Sequence, residues 1–267
     1  MTRNVLPQLY PMGDPRTPSR ERPVRLVARE LDADDLLREH QHGWGQVTYA
    51  HSGVLRVTTS NSSWIVPPLR AIWIAPDVRH EVTVLEKASM RVLWVDAPRR
   101  PFADDECKVL EVSGLLRELI VALEQAVPGA REAMLSELIL DELAHSPTQA
   151  IRVPLPRDKR LVMLCNALLA NPSGNQTLAQ WAGAVGASER TLARLFEADL
   201  GMSFTLWRQQ ARLAHAAPLI VGGMPLSLVA QTLGYASQSA FSAMFKKTFG
   251  SPPSSLLRNA KPGAVQA

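Results

Sequence analysis

Two histidines one residue apart stand in the stretch HQHGWGQ, residues 40–46, just before the strand-forming run VTYA. Neutral imidazoles are the commonest side-chain ligands of transition ions. The same pair is equally suited to lining a ligand cup with polar groups. The first reading gives an oxygen-handling metalloenzyme, the second a sensor. Taken alone the stretch leaves both open, so the elements around it have to be read.

With 267 residues, 46% hydrophobic and 20% charged, the chain is long enough for two modest soluble domains. It has no apolar run of the roughly 18 residues a membrane span needs. The first 23 residues hold five prolines and no apolar core of a secretory signal, and read as a disordered leader. Cys107 and Cys165, far apart and assigned to helices, read as thiols in a reducing cytoplasm. Charge is uneven. Residues 157–267 carry 11 Lys+Arg against 4 Asp+Glu, so a basic half follows a slightly acidic one within a chain of net charge +4. Such asymmetry suits a protein that meets a polyanion at one end.

From Val24 to Val95 the pattern is that of strands. VRLVARE, GQVTYA, GVLRVTT, WIVPP, RAIWIAP, HEVTVLE and MRVLWVD are short segments rich in branched and aromatic residues, separated by Gly, Pro, Ser and Asn. This spacing predicts an antiparallel sandwich or barrel. Near residue 108 the period becomes helical, with Val109, Val112, Leu116, Leu119, Ile120 and Leu123 on one face up to the break at Pro128-Gly129. A second amphipathic helix is expected over 131–145. The pair can cover the sheet or join its copies in a homodimer. HSPTQAIRVPLPRD then reads as a linker.

The basic half contains an internal repeat. LAQWAGAVGASERTLARLFEADLG (178–201) and SLVAQTLGYASQSAFSAMFKKTFG (227–250) align through Ala182 and Ala230, then Gly186 and Gly234. The alignment continues through Ser188 and Ser237, Leu192 and Phe241, Phe196 and Phe245, and Gly201 and Gly250. A small Ala lets two helices approach, a Gly takes positive φ between them, and a Ser caps the second helix. This is the logic of a helix-turn-helix, here present twice.

The second copy, VAQTLGYASQSAFSAMFKKTFGSPP, resembles the C-terminal signature of AraC/XylS-type transcription regulators. The region TLAQWAGAVGASERTLARLFEADLGMSFTLWRQQARL resembles the family's first helix-turn-helix and linker helix. The resemblance spans about residues 157–258 and implies two recognition helices entering successive major-groove segments of promoter DNA. It puts Arg190, Ala193 and Arg194 of the first helix, and Gln238, Ser239, Ser242 and Ala243 of the second, at base-contacting positions. Arginine can bond guanine O6 and N7 bidentately and glutamine can read adenine. Ser188, Thr191, Ser237, Lys246 and Lys247 are placed for phosphate. One departure stands out. Pro218 interrupts the linker helix, which is expected to kink or stop near Ala217.

HQHGWGQVTYAHSG, with APDVRHEV downstream, resembles the two cupin motifs. The resemblance implies a metal set of His40, His42 and His80, with Gln46 where cupin metalloenzymes carry a carboxylate. Asp77 replaces the usual glycine of the second motif, so a changed turn is expected there. His40, His42, Gln46, Tyr49, Trp73 and His80 are the expected effector pocket, with no cofactor required and a divalent metal as the open alternative. The fold expected is α+β and multidomain. A disordered leader (1–23) precedes a cupin-like antiparallel β-barrel with two helices (24–146), a linker (147–156), an all-α double helix-turn-helix domain (157–258) and a disordered tail (259–267). The function expected is that of a cytoplasmic, effector-responsive regulator that binds double-stranded DNA and, if an activator, RNA polymerase. The alternative is a dioxygenase-like cupin metalloenzyme with a helical accessory domain.

Overall fold

The computed structural model describes residues 5–6, 17–68, 70–104, 106–149 and 153–259. The chain divides into two units, one built on a sheet and one on helices. The rest of the leader and the tail lie outside the described residues.

In the first unit the strands are β1 (Val5–Leu6), β2 (Val24–Leu31), β3 (Leu36–His40), β4 (Gly45–Thr58), β6 (Arg70–Ile74), β7 (His80–Val95), β8 (Lys108–Glu111) and β9 (Thr148–Gln149). β5 (Ser62–Val66) falls between β4 and β6, and through Ser60–Ile65 groups with the helical unit. The eight strands follow the order β1-β3-β7-β4-β6-β8-β9, with β2 also on β7. Pairing is antiparallel apart from the parallel bridge of β1 to β3. Among the described residues the two end strands, β1 and β9, do not pair with each other, so the expected barrel is an open sheet.

The expected segments merge into longer strands. GQVTYA and GVLRVTT are one strand, β4, whose register against β7 shifts between Ala50 and Leu55. HEVTVLE and MRVLWVD are likewise one strand, and β7 is long enough to pair β3 at its start and β2 along its second half. Turn-forming residues here make bulges that bend a strand without ending it. β3, whose LLREH shows no clear alternation, escapes the sequence pattern.

Helices α1 (Gly114–Glu124) and α2 (Ala130–His145) pack on one face of the sheet. The expected helix over 108–127 starts late, because Val109 and Leu110 are buried strand residues opposite Ile72 and Ala71. Ser113 caps α1 by accepting a bond from the Leu116 N–H. Cys107 precedes β8 and is not helical, and both cysteines are free thiols. Burial pushes the Cys107 thiol up to about 11. Period-2 alternation sends Val47, Tyr49, Trp73, Leu93 and Val95 into one core with Leu116, Ile120, Ile139 and Leu143. α1 and α2 therefore cover the sheet, while Leu115, Met134 and Leu138 remain exposed.

In the second unit β10 (Val153–Pro154) pairs antiparallel with β5. Then come α3 (Lys159–Ala170), α4 (Leu178–Ala184), α5 (Glu189–Leu195), α6 (Phe204–Val221), α7 (Leu226–Thr232), α8 (Gln238–Phe249) and α9 (Ser254–Asn259). A wider helical turn, Phe196–Leu200, prolongs α5. α6 runs unbroken through Pro218, contrary to the expected stop. Proline removes the bond to the Ala214 carbonyl, but the Gly222 N–H still donates to the Pro218 carbonyl at 2.8 Å. The buried face Trp207, Leu213, Ala217 and Ile220 holds the helix on both sides of that gap. None of the described helices is long and apolar enough to cross a membrane.

Candidate functional site

β3 and β7 bring His40 directly opposite His80, and the loop from β3 to β4 returns His42 to the same place. One ring nitrogen from each histidine lies within 4.8 Å of those of the other two. The loop is fastened by the Asp77 N–H, which donates to the His42 carbonyl at 2.8 Å. Asp77 itself takes φ 61°, the left-handed conformation a glycine would supply. Asp77 thus carries a positive-φ turn that closes the loop onto His42.

Every ring in the cluster is oriented by its own backbone. Nδ1–H of His40 donates to the Arg38 carbonyl at 2.8 Å, that of His42 to Trp44 at 2.8 Å, and that of His80 to Val78 at 2.9 Å. A carbonyl only accepts, so a neutral His40 or His80 carries its proton on Nδ1 and its lone pair on Nε2. His42 meets a second acceptor, Gln46 Oε1, at 3.0 Å through Nε2, and its one proton serves only one of the two. Burial, followed by the repulsion of His40, pushes His80 down to about 3, and burial lowers His42 as well. The buried rings are therefore neutral near pH 7.

Gln46 lies among them, fixed by two further residues the sequence reading did not group with it. Its Nε2 donates to Thr48 Oγ1 at 3.0 Å, and the Trp94 indole N–H donates to its Oε1 at 3.2 Å. An indole only donates, which settles which end of the amide is oxygen. Trp44 stacks on His42, centroids 4.9 Å apart. The period of β4 was the available signal: Gln46 and Thr48 share a face, and Trp94 sits opposite Gln46. By the same period Tyr49 points the other way, and so, by the register of β6 on β4, does Trp73. The structure buries them in the core under α1 and α2 and does not bring them to the histidines.

At the helical end the two copies close alike. Gly186 and Gly234 take φ 66° and 73°, and the Ala187 and Tyr235 N–H groups donate to the Ala182 and Ala230 carbonyls, each at 2.9 Å. Ser188 and Ser237 cap α5 and α8 from the Thr191 and Ala240 N–H groups. Leu192 and Phe196, like Phe241 and Phe245, are buried. The opposite faces present Glu189, Arg190, Ala193 and Arg194 on α5, and Gln238, Ser239, Ala243, Lys246 and Lys247 on α8. Ser242 and Thr191 are half-buried, and Thr191 Oγ1 lies 2.8 Å from Ser188 Oγ. Arg190, Arg194, Lys246 and Lys247 have no ion-pair partner among the described residues. Arg212 is the contrasting case. It donates to the Pro172, Gly174 and Gly234 carbonyls and so fastens α6 to the second turn.

A model of the AraC-like ligand binding domain matches residues 24–143, and a helix-turn-helix domain model matches residues 181–259. The HTH-type transcriptional regulator NimR of Escherichia coli is 36% identical over 220 residues, 80% of either chain. The arabinose operon regulatory protein of the same organism is 31% identical over 161 residues, 57% of this chain and 53% of that protein. Among solved structures, ToxT from Vibrio cholerae aligns with 90% of this chain and 99% of its own, at 14% identity and a TM-score of 0.40. Along the chain, a sheet domain matched as ligand-binding is followed by two capped helical pairs with outward basic residues. The chain belongs to the AraC family of transcription regulators, with an N-terminal ligand-binding domain and a C-terminal helix-turn-helix domain that binds DNA.

Proposed function

We propose that α5 and α8 read promoter DNA, that the histidine–glutamine cluster lines the effector site, and that the protein acts as a regulator in the cytoplasm and not as an enzyme. One observation carries this: two capped helix-turn-helix units in register, each presenting an outward face of donors around a buried apolar stripe. Arg190 and Arg194 supply bidentate donors to guanine, Ala193 and Ala243 methyl contacts, and Gln238, Ser239 and Ser242 amide and hydroxyl groups. Lys246 and Lys247 contact phosphate, joined by the hydroxyls of Ser188, Thr191 and Ser237, whose oxygens also order the helix starts. The exposed Leu115, Met134 and Leu138 support self-association through α1 and α2. RNA polymerase is the further partner where the protein activates.

Selection of bound sequences from random duplexes, followed by footprinting, tests the reading. The expected product is one motif in two parts about one helical turn, roughly 10 base pairs, apart. Recovery of no enriched sequence would refute it.

A further inference from the structure

Along the chain α6 joins the two helix-turn-helix units, and a side chain midway along that helix ties them a second time. Arg212 donates through Nε to the Pro172 carbonyl at 2.8 Å, and through Nη2 to the Gly174 carbonyl at 3.0 Å and Asn175 Oδ1 at 2.9 Å. Its Nη1 reaches the Gly234 carbonyl at 3.4 Å. The first three acceptors belong to the loop that leads into α4, the fourth to the turn between α7 and α8. Both anchors are themselves tied. In the loop the Gly174 N–H donates to the Asn171 carbonyl at 3.1 Å, and Thr177 with Gln180 forms a reciprocal cap on α4. In the turn the Gly234 N–H donates to the Gln231 carbonyl at 3.0 Å. Beside the guanidinium the two backbones touch: a Cβ on Gly234 would stand 2.9 Å from the Ser173 carbonyl oxygen and 3.2 Å from Ser173 Cα. Gly186, at the same place in the first copy, faces open space. The close contact therefore belongs to the junction of the two units and not to the turn itself.

We infer that Arg212 is a positioning residue that sets the separation of α5 and α8, and with it the number of base pairs between the two blocks of sequence they read. The inference rests on the reading of α5 and α8 as recognition helices, and adds what fixes their spacing. The loop held by Arg212 carries α4 and so α5; the turn it holds carries α8. Arg212 has no carboxylate partner among the described residues. An ion pair would leave two side chains free to pivot together, whereas a planar fork on main-chain carbonyls fixes backbone to backbone. Burial, followed by the repulsion of Arg208 one turn away, lowers the guanidinium, which still stays charged and keeps all its donors. α6 alone is a weaker ruler, because Pro218 removes one of its bonds between Arg212 and α7. The direct tie from Arg212 to Gly234 bypasses that gap. One base pair more or less moves a block by about 3.4 Å along the DNA axis, which a fixed pair of helices cannot follow.

The test measures the affinity of the full chain for the selected duplex and for duplexes whose gap is one base pair longer or shorter, at one salt concentration. Wild type should favour the selected gap by about 10-fold or more, because a displaced block forfeits base contacts. Arg212→Gln should bring that ratio close to one, and Arg212→Lys, which keeps the charge but not the fork, should fall between. A chain that is partly unfolded binds every duplex less in the same proportion, so the ratio reports spacing and not stability. Two glycine variants give the same answer with Arg212 in place. Gly234→Ala intrudes on Ser173 and Arg212 and should lower the ratio, whereas Gly186→Ala carries the same positive-φ strain with nothing in reach and should keep it. Arg212→Gln with the wild-type ratio, or Gly186→Ala lowering it as far as Gly234→Ala does, overturns this inference alone. A wild type that selects no sequence overturns the regulator reading, and this inference with it.

Discussion

Arg190 and Arg194 lie one turn apart on α5, exposed and unpaired among the described residues, while Leu192 between them is buried. Replacing either with alanine should cost about 1–3 kcal/mol on the selected duplex and relax preference at a single base pair. Lys246→Ala should instead weaken all duplexes alike and lower the salt slope by about 1, which titration at several salt concentrations measures. The two turn glycines separate backbone strain from crowding. At Gly186 an added Cβ meets nothing within 4 Å, whereas at Gly234 it would lie 2.9 Å from the Ser173 carbonyl and 3.0 Å from Arg212. Gly186→Ala should cost about 1–2 kcal/mol from positive φ alone, and Gly234→Ala measurably more in urea unfolding. Equal losses would mean that the Arg212 contacts yield without penalty.

At the scale of the element, α6 and the long strands show where sequence pattern suffices and where packing overrules it. The capped helix pairs were legible because Ala, Gly, Ser and an apolar residue recur at fixed spacing, and each has a local physical cause. The register of β4 and β7 was not legible, because a bulge keeps a strand going through residues that usually end one. For Tyr49 the period of β4 already puts it on the face opposite Gln46, whereas the face of Trp73 follows only from the register of β6 on β4, and neither says which layer covers that face. Their partners, Leu116 and Ile139, come from helices far along the chain. Pro218 was legible as a cost but not as an outcome, because the buried side of α6 outweighs one missing bond. Pro218→Ala should therefore raise stability, by at most about 3 kcal/mol, and leave the selected DNA motif unchanged. A changed motif would show that the proline sets the spacing of the recognition helices.

At the scale of the whole molecule, a ligand acts on DNA affinity only if it binds differently to two states of the protein. The proposed pairing of two copies through α1 and α2 would give those states a shared interface, and on that reading Met134→Glu with Leu138→Glu should shift the chain from dimer to monomer in light scattering. If mass is unchanged, the exposed residues of α2 serve something other than self-association. The claim on which everything else depends is that the outward face of α5 reads base sequence. Its most direct test is the affinity of wild type and the Arg190→Ala, Arg194→Ala double variant for the selected duplex and a shuffled duplex at one salt concentration. The account predicts that the double variant loses most of its discrimination while holding the shuffled duplex nearly as before. Equal weakening on both duplexes would contradict it.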